Sequence, residues 1–138
     1  MFKQYLWIAL TLGALGSATN VLAETPQQML DNYKTQAQAA SATFKEFSAA
    51  NGETFFKSMH GSDWSCATCH TSNPLNSGKH ASTSKVIEPL SPNANAKRFT
   101  DSAKVEKWFK RNCKDVLSRE CTAVEKGDVI AYLMALKP

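Results

Sequence analysis

The sequence lacks most of the patterns that define common enzyme classes. It has no glycine-rich nucleotide loop, no internal repeat and no series of alternating strand segments, so nothing indicates a nucleotide-binding α/β fold or a repeat architecture. After residue 23 it has no apolar run long enough to span a membrane. The formal net charge is +4, an excess too small to argue for nucleic-acid binding.

The first 23 residues have the features of an export signal. Lys3 supplies a positive charge, residues 5–15 form an apolar run that is short for a membrane span, and small residues lead up to Ala23. We expect cleavage after Ala23, which leaves residues 24–138 as a single domain in the periplasm. An uncleaved membrane anchor is the alternative.

The remaining chain is predicted to be helices joined by irregular segments. Helix starts are indicated at Thr25 and Thr122, each with a capping-box partner three residues later, and by a cluster of cap residues around Asp101. An aromatic-rich stretch predicts a further helix from about Ser48 to Ser58. Gly52 lies four residues before Phe56 on one helical face, where a glycine lets another helix cross closely.

Residues 71–98 show no periodicity and are rich in proline, serine, asparagine and threonine. A loop of that length tends to be functional. The sequence therefore predicts an all-α domain with one long loop and no substantial strand.

One motif has specific chemistry. Cys66 and Cys69, followed directly by His70, form the attachment signature of a c-type haem, in which both thiols add to the porphyrin vinyl groups and the histidine reaches the iron. A redox dithiol would favour an α/β pattern, and a zinc site needs a second ligand pair at short spacing; the sequence has neither. We expect one covalently bound haem c with His70 as its proximal ligand.

The sequence has no methionine where an electron-transfer cytochrome c supplies its second axial ligand, in a loop well after the haem motif. Met29 and Met59 precede the motif, and Met134 lies in the last helical segment among core-type residues. We expect Met134 to be a packing residue.

Three other residues are candidates for the second axial position. His60 and His80 are weak ones, because His80 lies in a polar loop and His60 directly precedes the motif region. Asn112 falls in the apolar stripe of its predicted helix, where a buried amide must find a partner. It either bonds to backbone or water, or its side-chain oxygen meets the iron; the pattern alone leaves both open.

Two cysteines remain once the haem motif is accounted for. Cys113 and Cys121 stand in a chain predicted to be exported, where disulfides form and persist. We expect them to be bonded to each other, which would also fix the end of the helix that carries Asn112.

Several segments resemble known families. Residues 52–56, 66–70 and 128–133 are similar to a class I cytochrome c, while residues 78–80, 86–90, 104–113 and 119–121 resemble the sphaeroides haem protein family. The resemblance covers nearly all of residues 24–138 and is weakest in the N-terminal helix. It implies class I cytochrome c-like helices around one covalently attached haem, with that helix as an addition.

The resemblance also implies the site and its behaviour. Family members carry a high-spin haem with histidine and asparagine as axial ligands, here His70 and Asn112, and a disulfide, here between Cys113 and Cys121. On reduction the asparagine leaves, and the ferrous iron binds oxygen or nitric oxide. The residues expected to pack against the haem are Trp64, Ile87, Pro89, Leu90, Trp108 and Phe109.

Two functions are consistent with this sequence. The favoured one is a periplasmic haem protein that binds oxygen or nitric oxide after reduction by a partner such as a dihaem cytochrome c, and that is compatible with oxygenase-like turnover such as nitric oxide oxidation. The alternative is a simple electron carrier that keeps its sixth ligand in both oxidation states. Basic residues outnumber acidic ones over residues 97–119, which indicates either a solvated helix face or a docking patch for an acidic partner.

Overall fold

The structure, a computed structural model, describes residues 23–61 and 63–138; the predicted export signal up to residue 22 lies outside this part. The elements of the described part are α1 (Pro26–Ala40), α2 (Ala49–Lys57), α3 (Cys66–His70), β1 (Gly78–Lys79), β2 (Val86–Ile87), α4 (Ser102–Leu117) and α5 (Ala123–Ala135). None of the helices among these residues is long and apolar enough to cross a membrane.

The helix starts confirm the capping signals of the sequence. The Thr25 hydroxyl accepts the backbone N–H of Gln28, whose side chain accepts the backbone N–H of Thr25, and Thr122 and Glu125 form the same box at α5. The side chains of Ser48 and Asp101 cap α2 and α4. Each cap satisfies backbone donors that a helix start leaves without partners.

Helices α2 and α5 cross at the predicted glycine. A Cβ atom on Gly52 would lie 1.9 Å from the carbonyl oxygen of Asp128, so the two backbones can approach this closely only without a side chain. Asp128 also binds across the crossing, since its Oδ1 accepts the Ser48 backbone N–H at 2.8 Å. The crossing therefore joins the chain before the haem motif to its last helix.

The core forms where α1 and α2 pack against α5. Tyr33 and Phe56 are each 1 % exposed, and Ile130 and Leu133 are fully buried. The buried core cluster consists of Met29, Tyr33, Phe56, Phe99, Val129, Ile130, Tyr132 and Leu133. Burial of these side chains is the main apolar contribution to folding in so small a domain.

The predicted long loop contains a short antiparallel hairpin. Gly78 pairs with Ile87 and Lys79 with Val86, where the sequence indicated no strand. Two-residue strands are too short to show an alternating pattern, so periodicity could not reveal them.

Candidate haem site

The haem motif forms the short helix α3. Cys66 and Cys69 are one helical turn apart, so their thiols lie on the same side, and neither is bonded in a disulfide. Burial raises the pKa of the Cys66 thiol to about 11. A protonated thiol is a poor metal ligand, because metals bind the thiolate. The described residues contain no group of three or more His, Cys, Asp or Glu side chains placed to hold a metal ion.

The hairpin lies directly against α3. A Cβ atom on Gly78 would lie 2.1 Å from the Cys69 carbonyl oxygen, and the backbone N–H of Ala81 points to the Cys69 sulfur at 3.4 Å. The close approach requires glycine at this position. The hairpin segment thereby contacts both the backbone and the sulfur of Cys69, the second cysteine of the motif.

His70 is held as a neutral imidazole. Burial lowers its pKa to about 4, with smaller contributions from the charges of Arg98 and His80. Its Nδ1 atom is buried and has no hydrogen-bond partner among the described residues. A neutral ring is the form that ligates iron, and a buried nitrogen without a partner is costly unless something else engages the ring.

Arg98 is a half-buried cation near His70 that sequence reasoning did not single out. Its Nε donates to the Pro89 carbonyl at 2.8 Å and an Nη donates to the Glu88 carbonyl at 2.7 Å. Burial lowers the pKa of its guanidinium, and the described residues place no carboxylate within ion-pair distance of it. Such a cation is suited to an anionic group, and haem c carries two carboxylates. The sequence alone could not indicate this role, because the residues that surround Arg98 are brought to it only by the tertiary structure.

The other two histidines have structural partners. The Nδ1 atom of His80 accepts the backbone N–H groups of Ser82 and Thr83 at 3.2 and 3.3 Å, so the proton of the neutral ring resides on Nε2. A protonated nitrogen cannot ligate iron. The ring of His60 stacks on Phe55 with centroids 4.4 Å apart and bonds to the Phe55 carbonyl. Both arrangements favour the sequence-based ranking of these residues as weak ligand candidates.

Asn112 lies on α4 at the position that the helical pattern indicated. Its side chain is half-buried and makes no hydrogen bond to the described residues. Val105 and Phe109, on the same stripe, pack against the core cluster. An amide in this setting retains an uncommitted oxygen.

The residues expected to pack against the haem keep part of their surface free. Cys66, Leu90 and Phe109 pack on the same core cluster and so bring α3, the long loop and α4 together. Trp108 is 45 % exposed, with the Arg111 guanidinium 5.7 Å from its ring centroid. The other predicted packing residues, all half-buried, are Trp64, Ile87 and Pro89.

The two remaining cysteines meet after α4. The sulfur atoms of Cys113 and Cys121 lie 1.96 Å apart, at bonding distance, with their Cα atoms separated by 5.6 Å. Cys113 is the residue after Asn112, and Cys121 directly precedes the cap of α5. A bond here joins the end of the asparagine-bearing helix to the start of the last helix.

Known proteins are similar to this chain in sequence. Residues 42–133 match a family described as a domain of unknown function, DUF1924. Cytochrome c'' of Methylophilus methylotrophus is 39% identical over 88% of this chain and 83% of its own. The c-type cytochrome SHP of Cereibacter sphaeroides is 39% identical over 80% of this chain and 84% of its own. The chain belongs to the sphaeroides haem protein family.

Solved structures of the same two relatives match the fold. Oxidised SHP, an oxygen-binding cytochrome c, has a TM-score of 0.73 at 38% identity and covers 83% of this chain and 99% of its own. The solution structure of cytochrome c'' has a TM-score of 0.70 at 39% identity and covers 80% and 93%. The mostly helical cytochrome fold is thereby confirmed, and relatives of the c type imply covalently bound haem.

Proposed function

We propose that this chain is an exported monohaem cytochrome in which Asn112 is a redox-dependent axial ligand. Residues 1–23 would direct export, and residues 24–138 would form the haem domain. Cys66 and Cys69 would attach the haem, His70 would bind its iron on one face, and the Asn112 side-chain oxygen on the other. The cofactor, when bound, supplies an iron that takes a diatomic gas such as oxygen or nitric oxide at an open axial position.

The observation that carries this proposal is the uncommitted amide of Asn112. A half-buried amide that makes no hydrogen bond to the described residues keeps an oxygen that is free to bind a metal ion. Asn112 shares an apolar stripe with Val105, which packs against the core cluster. Cys66 of the haem motif packs against the same cluster. No methionine of the described part follows the motif except Met134, which packs partly against the core.

The amide chemistry accounts for a redox dependence. An amide oxygen is a neutral, hard and weak donor, which suits ferric iron better than ferrous iron. Reduction should therefore release Asn112, whose NH₂ group can then donate a hydrogen bond to a bound gas. Two relatives support this behaviour: SHP is described as oxygen-binding, and the structural work on cytochrome c'' concerns haem-ligand detachment.

The decisive experiment compares the wild-type protein with Asn112→Ala, each with its haem attached. We expect Asn112→Ala to change the ferric absorption and resonance Raman spectra while the haem stays attached. Reduced wild-type protein should bind carbon monoxide rapidly and completely. Asn51→Ala, the same change at an exposed helical position of α2, should leave both spectra unaltered.

Two results would contradict the proposal. A ferric spectrum of Asn112→Ala identical to that of the wild type would show that another group binds the iron. Failure of the reduced wild-type protein to bind carbon monoxide would favour the simple electron carrier with a permanently bound sixth ligand.

The proposal requires an electron donor, and α4 offers a surface for one. Lys104, Lys107, Arg111 and Lys114 are exposed on one side of this helix and form no ion pair with the described residues; we call them the basic face. Lys110, by contrast, pairs with Glu120. The basic face favours an acidic redox protein, such as a dihaem cytochrome c, as the donor.

A further inference from the structure

Helix α4 is tied to the rest of the protein along one edge. At its start, the backbone N–H of Ser102 donates to Glu24 Oε2 at 2.6 Å, and one turn later Glu106 contacts α1 and α5. The Phe109 ring then packs edge-on against the Tyr33 ring with centroids 6.0 Å apart, and Cys113 forms the disulfide with Cys121. These four positions of α4 are spaced by four, three and four residues. Helical geometry places such residues in one line, here called the tethered edge.

Glu106 is the centre of this edge. Its Oε1 accepts the Tyr33 hydroxyl of α1 at 2.5 Å, and its Oε2 accepts the Lys126 ammonium of α5 at 2.7 Å. The Lys126 nitrogen also lies 5.4 Å from the centroid of the Tyr33 ring. Tyr33 is 1 % exposed, so this clamp of three residues is anchored in the core.

Asn112 lies where it responds to any rotation of the helix about that edge. At about 100° per residue, Asn112 projects about 90° around α4 from the tethered edge. It stands six residues after Glu106, about 9 Å along the axis. A roll of α4 about the tethered edge would therefore leave the tethers nearly in place and displace Asn112 sideways.

We propose that Glu106, held by Tyr33 and Lys126, is a positioning residue that sets the roll of α4 and hence the reach of Asn112. This inference rests on the proposed role of Asn112. With the clamp closed, the helix stays fixed and Asn112 leaves by rotation of its side chain alone. With the clamp broken, the helix rolls and the amide binds oxidised iron less well.

The test is displacement of Asn112 by cyanide in the ferric, haem-loaded protein, followed by absorbance. Cyanide competes with the amide, so weaker amide binding raises the apparent cyanide affinity. Glu106→Leu removes hydrogen bonds to a charged group and should raise that affinity about tenfold. Tyr33→Phe and Glu106→Gln, which each keep part of the clamp, should raise it less.

The matched control is Glu53→Leu. It removes an ion pair of similar length, 2.6 Å to Lys57, within α2 and away from α4, and should leave the cyanide affinity unchanged. The double variant Glu106→Leu/Asn112→Ala should bind cyanide with the same affinity as Asn112→Ala, because without the amide there is nothing to position.

Each outcome decides between the two proposals. An Asn112→Ala protein with wild-type spectrum and cyanide affinity would overturn the role of Asn112 itself. If Asn112→Ala raises the affinity but Glu106→Leu and Tyr33→Phe do not, the clamp is only structural. A Glu106→Leu effect that persists without Asn112 would also overturn positioning. If Glu106→Leu fails to fold, Tyr33→Phe and Glu106→Gln give the answer.

Discussion

Asp128 shows at the residue scale how this small domain tolerates a buried charge. The side chain is 7 % exposed, and its Oδ1 accepts the backbone N–H of Ser48 at the start of α2. Burial raises the pKa of the carboxyl above its usual 3.8, although the Ser48 bond opposes the shift. The folded protein therefore binds the proton of this carboxyl more tightly than the unfolded chain does.

Asp128→Asn should stabilise the protein increasingly as the pH rises. A carboxyl with a raised folded-state pKa contributes its full stability below its unfolded pKa and loses it as the pH rises through the folded value. The amide oxygen can still accept the Ser48 bond and does not titrate. Urea unfolding should therefore give a variant-minus-wild-type free energy that grows with pH and then levels off.

The control for this prediction is Asp31→Asn on the exposed side of α1, which makes the same chemical change at a carboxyl open to solvent. A gain for Asp128→Asn that is largest at the lowest pH would contradict the assigned direction of the shift.

At the element scale, α4 presents three different sides. The tethered edge faces α1 and α5, the stripe with Asn112 and Val105 lies beside it, and the basic face lies roughly opposite the tethered edge. Ser118, in the left-handed region at φ 59°, ends the helix five residues after Cys113. The contacts that hold α4 to the protein, the proposed ligand Asn112 and the basic face therefore lie on different sides of one helix.

The Cys113–Cys121 pair should stabilise the junction between α4 and α5. Closing a loop with a sequence separation of eight lowers the entropy of the unfolded chain, worth ~2–3 kcal/mol on the loop-entropy model. Cys113→Ser/Cys121→Ser should lose about that much unfolding free energy in urea.

Chemical reduction of the disulfide supplies the matched comparison for this prediction. A thiol reductant at constant haem redox state should destabilise the wild-type protein to a similar extent and leave the double serine variant unchanged. Equal sensitivity of both proteins would show that the effect comes from elsewhere in the chain.

The whole molecule is only weakly basic, yet four cations that form no ion pair among the described residues lie together on α4. The net charge is +4, and the basic face contributes four exposed cations. A cluster of like charges raises the rate of association with an oppositely charged partner. Salt screens this attraction, so the increase is smaller at high ionic strength. The basic face should therefore guide an anionic electron donor toward the helix of Asn112.

Charge reversal at Lys107→Glu/Arg111→Glu should slow reduction by photoreduced flavin mononucleotide, an anionic donor, and weaken its salt dependence. Reduction by neutral lumiflavin should not change. The control variant Lys34→Glu/Lys45→Glu alters the net charge equally at exposed positions outside α4 and should have a smaller effect. Equal slowing by both variants would place the steering in the total charge rather than in the basic face.

The sequence predicted the fold class because its signals are local. Capping boxes at Thr25 and Thr122 act within a few residues, and the structure confirms both. Gly52 is also visible locally, one helical turn before Phe56, although the close contact that it permits is with the distant Asp128. The cysteine–histidine motif at residues 66–70 indicated covalent haem for the same reason, since the attachment chemistry needs those residue types at that spacing.

Other features needed the tertiary structure, because they join residues far apart in the chain. Arg98 becomes a candidate anion partner only because the fold places it near His70. The hydrogen bonds that Ser82 and Thr83 donate to His80 likewise appear only in the folded loop. The bond between Tyr33 and Glu106 spans 73 residues and leaves no trace in either local pattern. Local chemistry thus determined which residues can attach a haem, and contacts between distant parts of the chain decided how the helix of Asn112 is fixed to α1 and α5.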